Sequence, residues 1–247
     1  MESPLISIIT ITYNAEKEIA PTMKSVGQQT FSNFEHLIID GASKDKTVEI
    51  ANQFSLPKTK IISEPDKGLY DAMNKGLKNA TGTYVIFLNA GDTFHSEDTL
   101  QKYADEAKKG SHIIYGDTII VDKERNFIKP RHLDVPTILD AKSFSKGMLI
   151  CHQAFMVQKD LAPLYDINYR FSADYDWTVK CIKKSDSNKN KNLNCVTIDY
   201  LSDGLTNKNK IKSLKERFKI MSNHYGLIPT FFNHLGFIAR AIKRKLQ

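Results

Sequence analysis

The chain of 247 residues has 35 lysines and arginines against 28 aspartates and glutamates, a formal charge of +7. Its 41% hydrophobic and 26% charged residues are typical of a globular protein and exclude a disordered one. No run approaches the roughly 20 apolar residues of a membrane-spanning helix. The N-terminus lacks the basic region of a secretory signal, and the three cysteines are too few and too widely spaced for a disulfide framework. We therefore expect a cytoplasmic protein with reduced thiols.

The positive charge is concentrated at the C-terminus. Residues 208–247 contain ten basic residues and one acid, Glu216, so this tail carries +9 and residues 1–207 carry −2. A basic protein usually has an anionic partner, but a mildly acidic body disfavours a nucleic-acid-binding core. We expect no nucleic acid partner.

The first 110 residues alternate between strand and helix patterns. Buried strands are predicted at Leu5–Thr12, Glu35–Asp40, Lys60–Ser63 and Thr83–Leu88. Helical spacing of apolar residues follows each strand, at Ile19–Val26, Val48–Phe54, Leu69–Leu77 and Glu97–Lys109. This order predicts a parallel sheet with helices on both faces, whose ligands bind at the carboxyl ends of the strands.

The second half is less regular. The pattern predicts a hairpin of His112–Val121 with Asn126–Arg131, a strand at Leu149–Val157, a helix at Tyr175–Lys183, a polar loop at Ser185–Asn194 and a strand at Leu193–Tyr200.

Acidic residues follow the predicted strands of the first half. The chain has no GxGxxG after its first strand and no GxxxxGK[ST], GxSxG or HExxH, which argues against common dinucleotide, P-loop, serine-hydrolase and zinc-protease sites. Instead, Asp40 is the last residue of its predicted strand, and Asp66 and Asp92 lie in the segments that follow the next two strands. Such an aspartate can accept a hydrogen bond from a base or sugar, or bind a divalent cation. A single aspartate at such a position is as readily explained as a turn former. Three aspartates at one edge of the sheet favour a ligand-binding site.

Several motifs in order carry a specific resemblance. They are ISIITITYNAEKEI, SVGQQTFSNFEHLIIDGASKDKT and EPDKGLYDAMNKGLKNATGTYVIFLNAGD. Residues 4–93 closely resemble the family 2 inverting glycosyltransferases of bacterial surface-polysaccharide type, and the similarity continues more weakly at Cys151–Gln153 and Ala173–Trp177.

The resemblance implies the α/β GT-A (Rossmann-like) fold, a mostly parallel sheet with helices on both faces, extended here by C-terminal helices. It implies a catalytic domain at 1–207, with a nucleotide-sugar-binding half at 1–110 and an acceptor half at 111–207. Residues 208–247 would form a basic amphipathic helical tail.

The resemblance also implies a donor site. The nucleotide-binding positions are Thr12, Tyr13, Glu16, Asp40, Asp66, Lys67 and Gly68. Asp40 matches an aspartate that accepts a base N–H and so favours a UDP-sugar, Glu16 matches an acid on the ribose, and Lys67 would offset phosphate charge. A buried Tyr13 and a solvated Lys67 are the structural alternatives.

The segment Asn89–Asp92 aligns with the acidic metal motif of the family. Asn89 and Gly91 occupy two positions where the family usually has carboxylates, which leaves Asp92 as the anionic ligand for Mn²⁺ or Mg²⁺. One carboxylate can suffice when the diphosphate of the substrate is the main ligand.

The resemblance places the catalytic base at Asp174, which would deprotonate the acceptor hydroxyl. Asp176 is its competitor two residues away. Either acid could instead be structural, Asp174 as the N-cap of the predicted helix and Asp176 as a first-turn acid that favours the helix dipole. Trp177 would pack or stack on a sugar, and His152 would face the acceptor. The segment 202–206 resembles a late flexible loop that covers the donor.

The tail spaces Phe231, Leu235, Ile238, Ile242 and Leu246 by three or four residues, with basic residues mostly opposite. This pattern suits residues 231–247 to an anionic membrane surface, although a helix packed on its own domain has the same pattern.

The sequence therefore predicts an inverting, metal-dependent glycosyltransferase that moves a sugar from a nucleotide-sugar to a saccharide or polyprenyl-linked saccharide. It would be cytoplasmic and peripheral to the inner face of the cell membrane. The alternative is a non-catalytic nucleotide-sugar-binding or scaffold protein, because the metal motif retains only one of its usual carboxylates, Asp92. The lack of a glycine-rich loop disfavours a sugar nucleotidyltransferase.

Overall fold

Four parallel strands form the N-terminal half of one continuous sheet. The computed structural model describes residues 3–131, 133–202 and 210–245, and the side chains of all of these except 210 and 238–245. The strands are β1 (Ile6–Thr12), β2 (Phe34–Asp40), β3 (Thr59–Ser63) and β4 (Tyr84–Phe87), in the spatial order β3-β2-β1-β4. Every residue of β1 and β4 is buried, as expected for strands covered on both faces.

Helices connect these strands and continue the predicted alternation. They are α1 (Ile19–Gly27), α2 (Thr47–Gln53), α3 (Leu69–Asn79) and α4 (Thr99–Lys108). The carboxyl ends of β1, β2 and β4 therefore meet at one edge, where the predicted donor residues lie.

The other half of the sheet is mixed. Its strands are β5 (Thr93–Phe94), β6 (Ile113–Val121), β7 (Phe127–Pro130), β8 (Phe155–Gln158) and β9 (Asn190–Leu201). Strand β8 is antiparallel to both β4 and β6, β6 is parallel to β9, and β7 forms a hairpin with β6.

Two predicted elements of this half differ from the structure. The strand expected at Leu149–Val157 begins only at Phe155, because His152–Ala154 form a single turn of 3-10 helix. Residues 190–194 are not loop but the start of β9, because Asn190 pairs with Ile113 of β6 along the backbone. Backbone pairing thus overrides the polar composition of this segment.

Two C-terminal helices, α6 (Lys210–Tyr225) and α7 (Leu227–Lys245), follow α5 (Ala173–Lys184) and β9. Ile220 and Met221 of α6 are fully buried in the main hydrophobic core. Helix α6 is therefore integral to the packing of the protein, and the domain boundary at 207/208 stays a prediction from the sequence. Among the described residues, no helix is long and apolar enough to cross a bilayer.

Candidate active site

An exposed aromatic ring, a glycine and a carboxylate converge at the ends of β1, β2 and β3. Tyr13 follows β1 and is 64% exposed, so it is not the buried residue that the structural alternative required. A Cβ atom placed on Gly41 would lie 2.5 Å from Asp66 Oδ2 and 3.2 Å from Tyr13 Cδ2. Only glycine fits between these two side chains, and the three residues form one open surface suited to a planar base.

Asp40 organises the turn beneath this surface. Its carboxylate accepts hydrogen bonds from the backbone N–H of Ser43 at 3.0 Å, from Ser43 Oγ at 2.5 Å and from Ser63 Oγ at 2.6 Å, and the residue is 1% exposed. Within the described residues, Oδ1 accepts one hydrogen bond and therefore retains an acceptor position.

Hydrogen bonds connect the loop after β1 to the loop after β2. Asn14, in the left-handed region at φ 49°, accepts a hydrogen bond from the backbone of Lys44 at 2.9 Å. Glu16 accepts one from the backbone of Lys46 at 3.2 Å, so its carboxylate braces this loop, and a contact with ribose stays a prediction. The Thr12 hydroxyl is buried and has no hydrogen-bond partner within the described part of the chain.

The segment Asp66–Gly68 starts helix α3 beside the same surface. Asp66 Oδ1 accepts a hydrogen bond from the N–H of Gly68 at 2.8 Å, and Gly68 has φ 114°, where glycine is favoured. Lys67 is exposed, and its backbone N–H donates to Asp71 Oδ2 at 3.0 Å. The ammonium group of Lys67 is thus placed in solvent next to the aromatic surface.

Asp92 lies in a tight turn after β4. Its backbone N–H donates to the carbonyl of Asn89 at 3.0 Å. Gly91 has φ 103°, and a Cβ atom there would approach Leu201 Cδ2 at 3.1 Å. The turn geometry therefore explains why glycine stands where the family motif usually has an acid.

The Asp92 carboxylate is 95% buried and hydrogen-bonded at both oxygens. Gln153 Nε2 donates to Oδ2 at 2.7 Å and the N–H of Leu201 donates to Oδ1 at 3.0 Å. Burial raises the pKa of Asp92 to about 7, which the two hydrogen bonds only partly offset. A nearby cation would favour the ionised form.

The oxygen atoms of Asp92 and Asn89 suit a hard divalent cation that takes only a few of its ligands from the protein. Asn89 Oδ1 is buried without a hydrogen-bond partner in the described residues, and carbonyl and carboxylate oxygens are the ligands that Mg²⁺ and Mn²⁺ prefer. No group of three or more His, Cys, Asp or Glu side chains in this part of the chain is arranged to hold a metal. A substrate diphosphate would have to complete the coordination.

Gln153 is a site residue that sequence reasoning missed. It accepts a hydrogen bond from Cys151 Sγ at 2.7 Å and donates to Asp92, so it fixes the orientation of that carboxylate. Burial raises the pKa of the Cys151 thiol to about 11, which keeps it a neutral donor. In the sequence, the only indication that Gln153 belongs to the site was its position next to the candidate residue His152.

The two candidate bases on α5 have different environments. Asp174 is half-buried, and its Oδ1 accepts a hydrogen bond from the Tyr70 hydroxyl at 3.2 Å. Asp176 is buried, with His224 Nε2 at 2.7 Å and Lys180 Nζ at 2.6 Å. Burial alone would raise the pKa of Asp176, but hydrogen bonds from His224 and Lys180 outweigh it and lower the pKa. Asp176 is therefore a structural acid that joins α5 to α6, and its predicted place on the acceptor side is wrong.

Trp177 also differs from its prediction. It is fully buried, stacks on Tyr165 at a centroid distance of 4.9 Å, and donates from Nε1 to the carbonyl of Pro163 at 2.7 Å. A side chain enclosed in this way cannot stack on a sugar, so Trp177 is a core residue.

His152 lies close enough to Asp174 for that charge to act on it. Burial lowers the pKa of His152, the negative charge of Asp174 partly opposes this, and Nε2 has no hydrogen-bond partner among the described residues. The ring is thus a neutral imidazole whose Nε2 has no partner in this part of the chain.

Helix α6 also fixes the start of α5. The Glu216 carboxylate accepts hydrogen bonds from the backbone N–H groups of Arg170 and Phe171, both at 2.7 Å. These contacts hold the segment that leads into Asp174. Of the loop expected at 202–206, residues 203–206 lie outside the described residues.

Comparison with known proteins identifies the family. The family model described as "Glycosyl transferase family 2" matches residues 7–162. The chain is 36% identical, over 73% of its length and 71% of the relative, to the PGL/p-HBAD biosynthesis glycosyltransferase of Mycobacterium bovis. The chain therefore belongs to glycosyl transferase family 2.

Two further similarities cover nearly the whole chain. The UDP-Glc:alpha-D-GlcNAc-diphosphoundecaprenol beta-1,3-glucosyltransferase WfgD of Escherichia coli is 26% identical over 99% of this chain and 96% of the relative. The crystal structure of S. aureus TarS 1-349 in complex with UDP-GlcNAc superposes with a TM-score of 0.75 at 17% identity, covering 94% of this chain and 73% of that one. The predicted GT-A fold and enzyme class are confirmed: the protein is a glycosyltransferase, and the non-catalytic alternative is not favoured.

Proposed function

We propose that this glycosyltransferase moves a hexose from a UDP-sugar to a saccharide carried on a polyprenyl diphosphate, with inversion at the anomeric carbon. The observation that carries the proposal is the different setting of the two acids on α5: Asp176 is held by His224, whereas Asp174 is half-buried. The E. coli relative, whose name specifies UDP-Glc and a diphosphoundecaprenol acceptor, supports the substrate classes.

In the proposed mechanism, Asp174 accepts the proton of the acceptor hydroxyl as the oxygen attacks the anomeric carbon. Attack from the face opposite the leaving diphosphate gives inversion. Burial and the negative charge of Asp174 raise the pKa of Tyr70, so its hydroxyl stays protonated and orients the Asp174 carboxylate by donating to Oδ1. His152, which is neutral and near enough to feel the charge of Asp174, is the proposed acceptor-side neighbour of this acid.

The donor would lie across the edge formed by Tyr13, Gly41 and Asp66. Tyr13 offers an exposed ring for stacking on uracil, and Asp40 Oδ1 has an acceptor position for the base N3–H. Asp92, with Asn89, would hold Mn²⁺ or Mg²⁺, which when bound neutralises charge on the departing diphosphate.

A binding screen tests the donor class. We expect UDP-sugars to bind at least about tenfold more tightly than CDP-sugars by calorimetry, because the N3–H of uracil can donate to the buried carboxylate of Asp40 whereas N3 of cytosine has no hydrogen. We expect Mn²⁺ to strengthen UDP-sugar binding. Equal affinity for CDP-sugars would contradict the role of Asp40, and identical affinities with Mn²⁺ and with a chelator would contradict metal dependence.

Helix α7 supports peripheral attachment to a membrane on its cytoplasmic face. Its first half exposes one contiguous apolar face, formed by Leu227, Ile228, Phe231, Phe232 and Leu235, which are each 47–71% exposed. The opposite face packs inward through the fully buried Thr230 and through Phe237. The sequence of α7 has no acidic residue, so its charge suits anionic headgroups.

Vesicle sedimentation tests this surface. We expect Phe231→Ser combined with Phe232→Ser to lower partitioning onto anionic vesicles by about tenfold, because two apolar rings no longer enter the interface. Ile138→Ser is the matched control, since Ile138 is 74% exposed and lies outside α7. Equal sedimentation of the double variant and the wild type would show that α7 is a packed helix without a lipid role.

A further inference from the structure

The turn of the β6–β7 hairpin lies beside Asp92. Val121, at the end of β6, pairs with Leu201 of β9, and the N–H of Leu201 donates to Asp92 Oδ1. The N–H of Ser202 also donates to the carbonyl of Val121, at 3.1 Å. The residues that follow Val121 are therefore attached to the strand that contacts the acid of the metal motif.

This turn is well defined and presents an arginine. Asp122 accepts hydrogen bonds from Asn126 N at 2.8 Å and from Asn126 Nδ2 at 3.1 Å, and the N–H of Arg125 donates to the Asp122 carbonyl at 3.1 Å. Arg125 adopts φ 68°, a conformation that a residue with a long side chain rarely takes. This is the left-handed position that follows a type I turn in a short hairpin loop, so the turn itself accounts for it.

The guanidinium group of Arg125 has unused hydrogen-bond donors. Its Nε and Nη1 atoms are buried and have no hydrogen-bond partner within the described residues. Buried donors without partners are rare in folded proteins, because their lost hydration is not replaced. A ligand that supplies acceptor oxygens would remove this cost.

The guanidinium group of Arg125 keeps its positive charge beside two carboxylates. Burial lowers the pKa of Arg125, and the charges of Asp92 and Asp199 oppose this, so the group stays positive at neutral pH. Asp199 is itself paired with His95 Nδ1 at 2.6 Å. A planar guanidinium matches two oxygens of a phosphate group better than any other side chain does.

We propose that Arg125 binds the diphosphate of the nucleotide-sugar donor through its Nε–H and Nη1–H groups. It supplies positive charge at the place where Asn89 and Gly91 have replaced acids of the metal motif. This inference rests on the proposed function, because it assumes that the donor diphosphate lies next to Asp92. The proposal thus assigns a contact with the donor diphosphate to the turn between β6 and β7.

Titration of the full chain with uridine, UMP and UDP tests the assignment. For Arg125→Ala we expect UDP to bind at least about tenfold more weakly and uridine to bind as in wild type, because only the phosphate contacts are lost. The loss of UDP affinity should persist in a chelator. Lys129→Ala is the matched control, since it removes one exposed positive charge from the same hairpin. It should change UDP affinity by less than about twofold.

Arg125→Gln is the second variant, which keeps N–H donors without the charge and should also weaken UDP binding. Circular dichroism and thermal midpoints establish that each variant is folded. Wild-type UDP affinity in a folded Arg125→Ala or Arg125→Gln protein would overturn the proposal and leave Arg125 as a structural partner of Asp92 and Asp199. Failure of the wild type to bind UDP would instead overturn the proposed function.

Discussion

Replacing Asp174 by asparagine lowers kcat by about 10³-fold and leaves UDP binding within about twofold of wild type, if Asp174 is the general base. The amide keeps the shape of the side chain and can still accept a hydrogen bond from Tyr70, but it cannot accept a proton from the acceptor. Single-turnover transfer with a UDP-sugar, together with calorimetry for UDP, measures the two quantities separately.

Tyr70→Phe is the matched variant for this experiment. It leaves the Asp174 carboxylate in place and removes the 3.2 Å hydrogen bond that orients it, so a smaller decrease in kcat is expected. Undiminished turnover in Asp174→Asn would eliminate Asp174 as the base. A parallel loss of UDP affinity would show that the substitution disturbs the donor site.

Replacing Asp176 by asparagine gives the opposite result, with a large loss of stability and a nearly unchanged kcat for the folded protein. Asp176 is buried between His224 and Lys180, and removal of one member of a buried ion pair costs about 3 kcal/mol. For a chain of this size, that loss lowers the thermal midpoint by roughly 6–12 °C. Urea unfolding followed by circular dichroism measures the change in free energy.

The stability difference between wild type and Asp176→Asn should depend on pH in one direction. The folded state lowers the pKa of Asp176 below its ordinary value of 3.8. Its stabilising contribution is therefore fully present above about pH 4 and is lost as pH falls through the folded pKa. The free energies of unfolding of the two proteins should converge below pH 4. A constant difference down to pH 2.5 would contradict this origin.

The buried strands and the acids that follow them were readable from the sequence because both are local patterns. Strands such as Ile6–Thr12 are continuous apolar runs, and their parallel arrangement follows from the alternation with helices. That arrangement alone brings the loops after β1, β2 and β3 to one edge, where Tyr13, Gly41 and Asp66 lie together.

The roles of Asp176 and Trp177 were not readable in this way. Asp176 is defined by His224, which is 48 residues away along the chain, and Trp177 is enclosed by Tyr165 and Phe87. Local spacing marks such residues as near a motif but carries no information about the partners that bury them.

Gln153 and Arg125 were missed for a related reason. Each is a single polar residue without a motif of its own. Gln153 acquires a role from contact with Asp92, which is 61 residues away, and Arg125 from the charge of the same acid. Asp92 was recognised from its motif, whereas the side chains that set its orientation and charge were visible only once the sheet was assembled.

Helix α6 connects helix α5 with helix α7. Glu216 accepts hydrogen bonds from two backbone N–H groups that precede α5, and His224 pairs with Asp176 within it. Helix α6 therefore contacts α5, which carries the proposed base Asp174, at two points. The apolar face of α7 begins two residues after α6 ends. Helix α6 thus lies in contact with the helix that carries the proposed base and directly precedes the helix with the exposed apolar face.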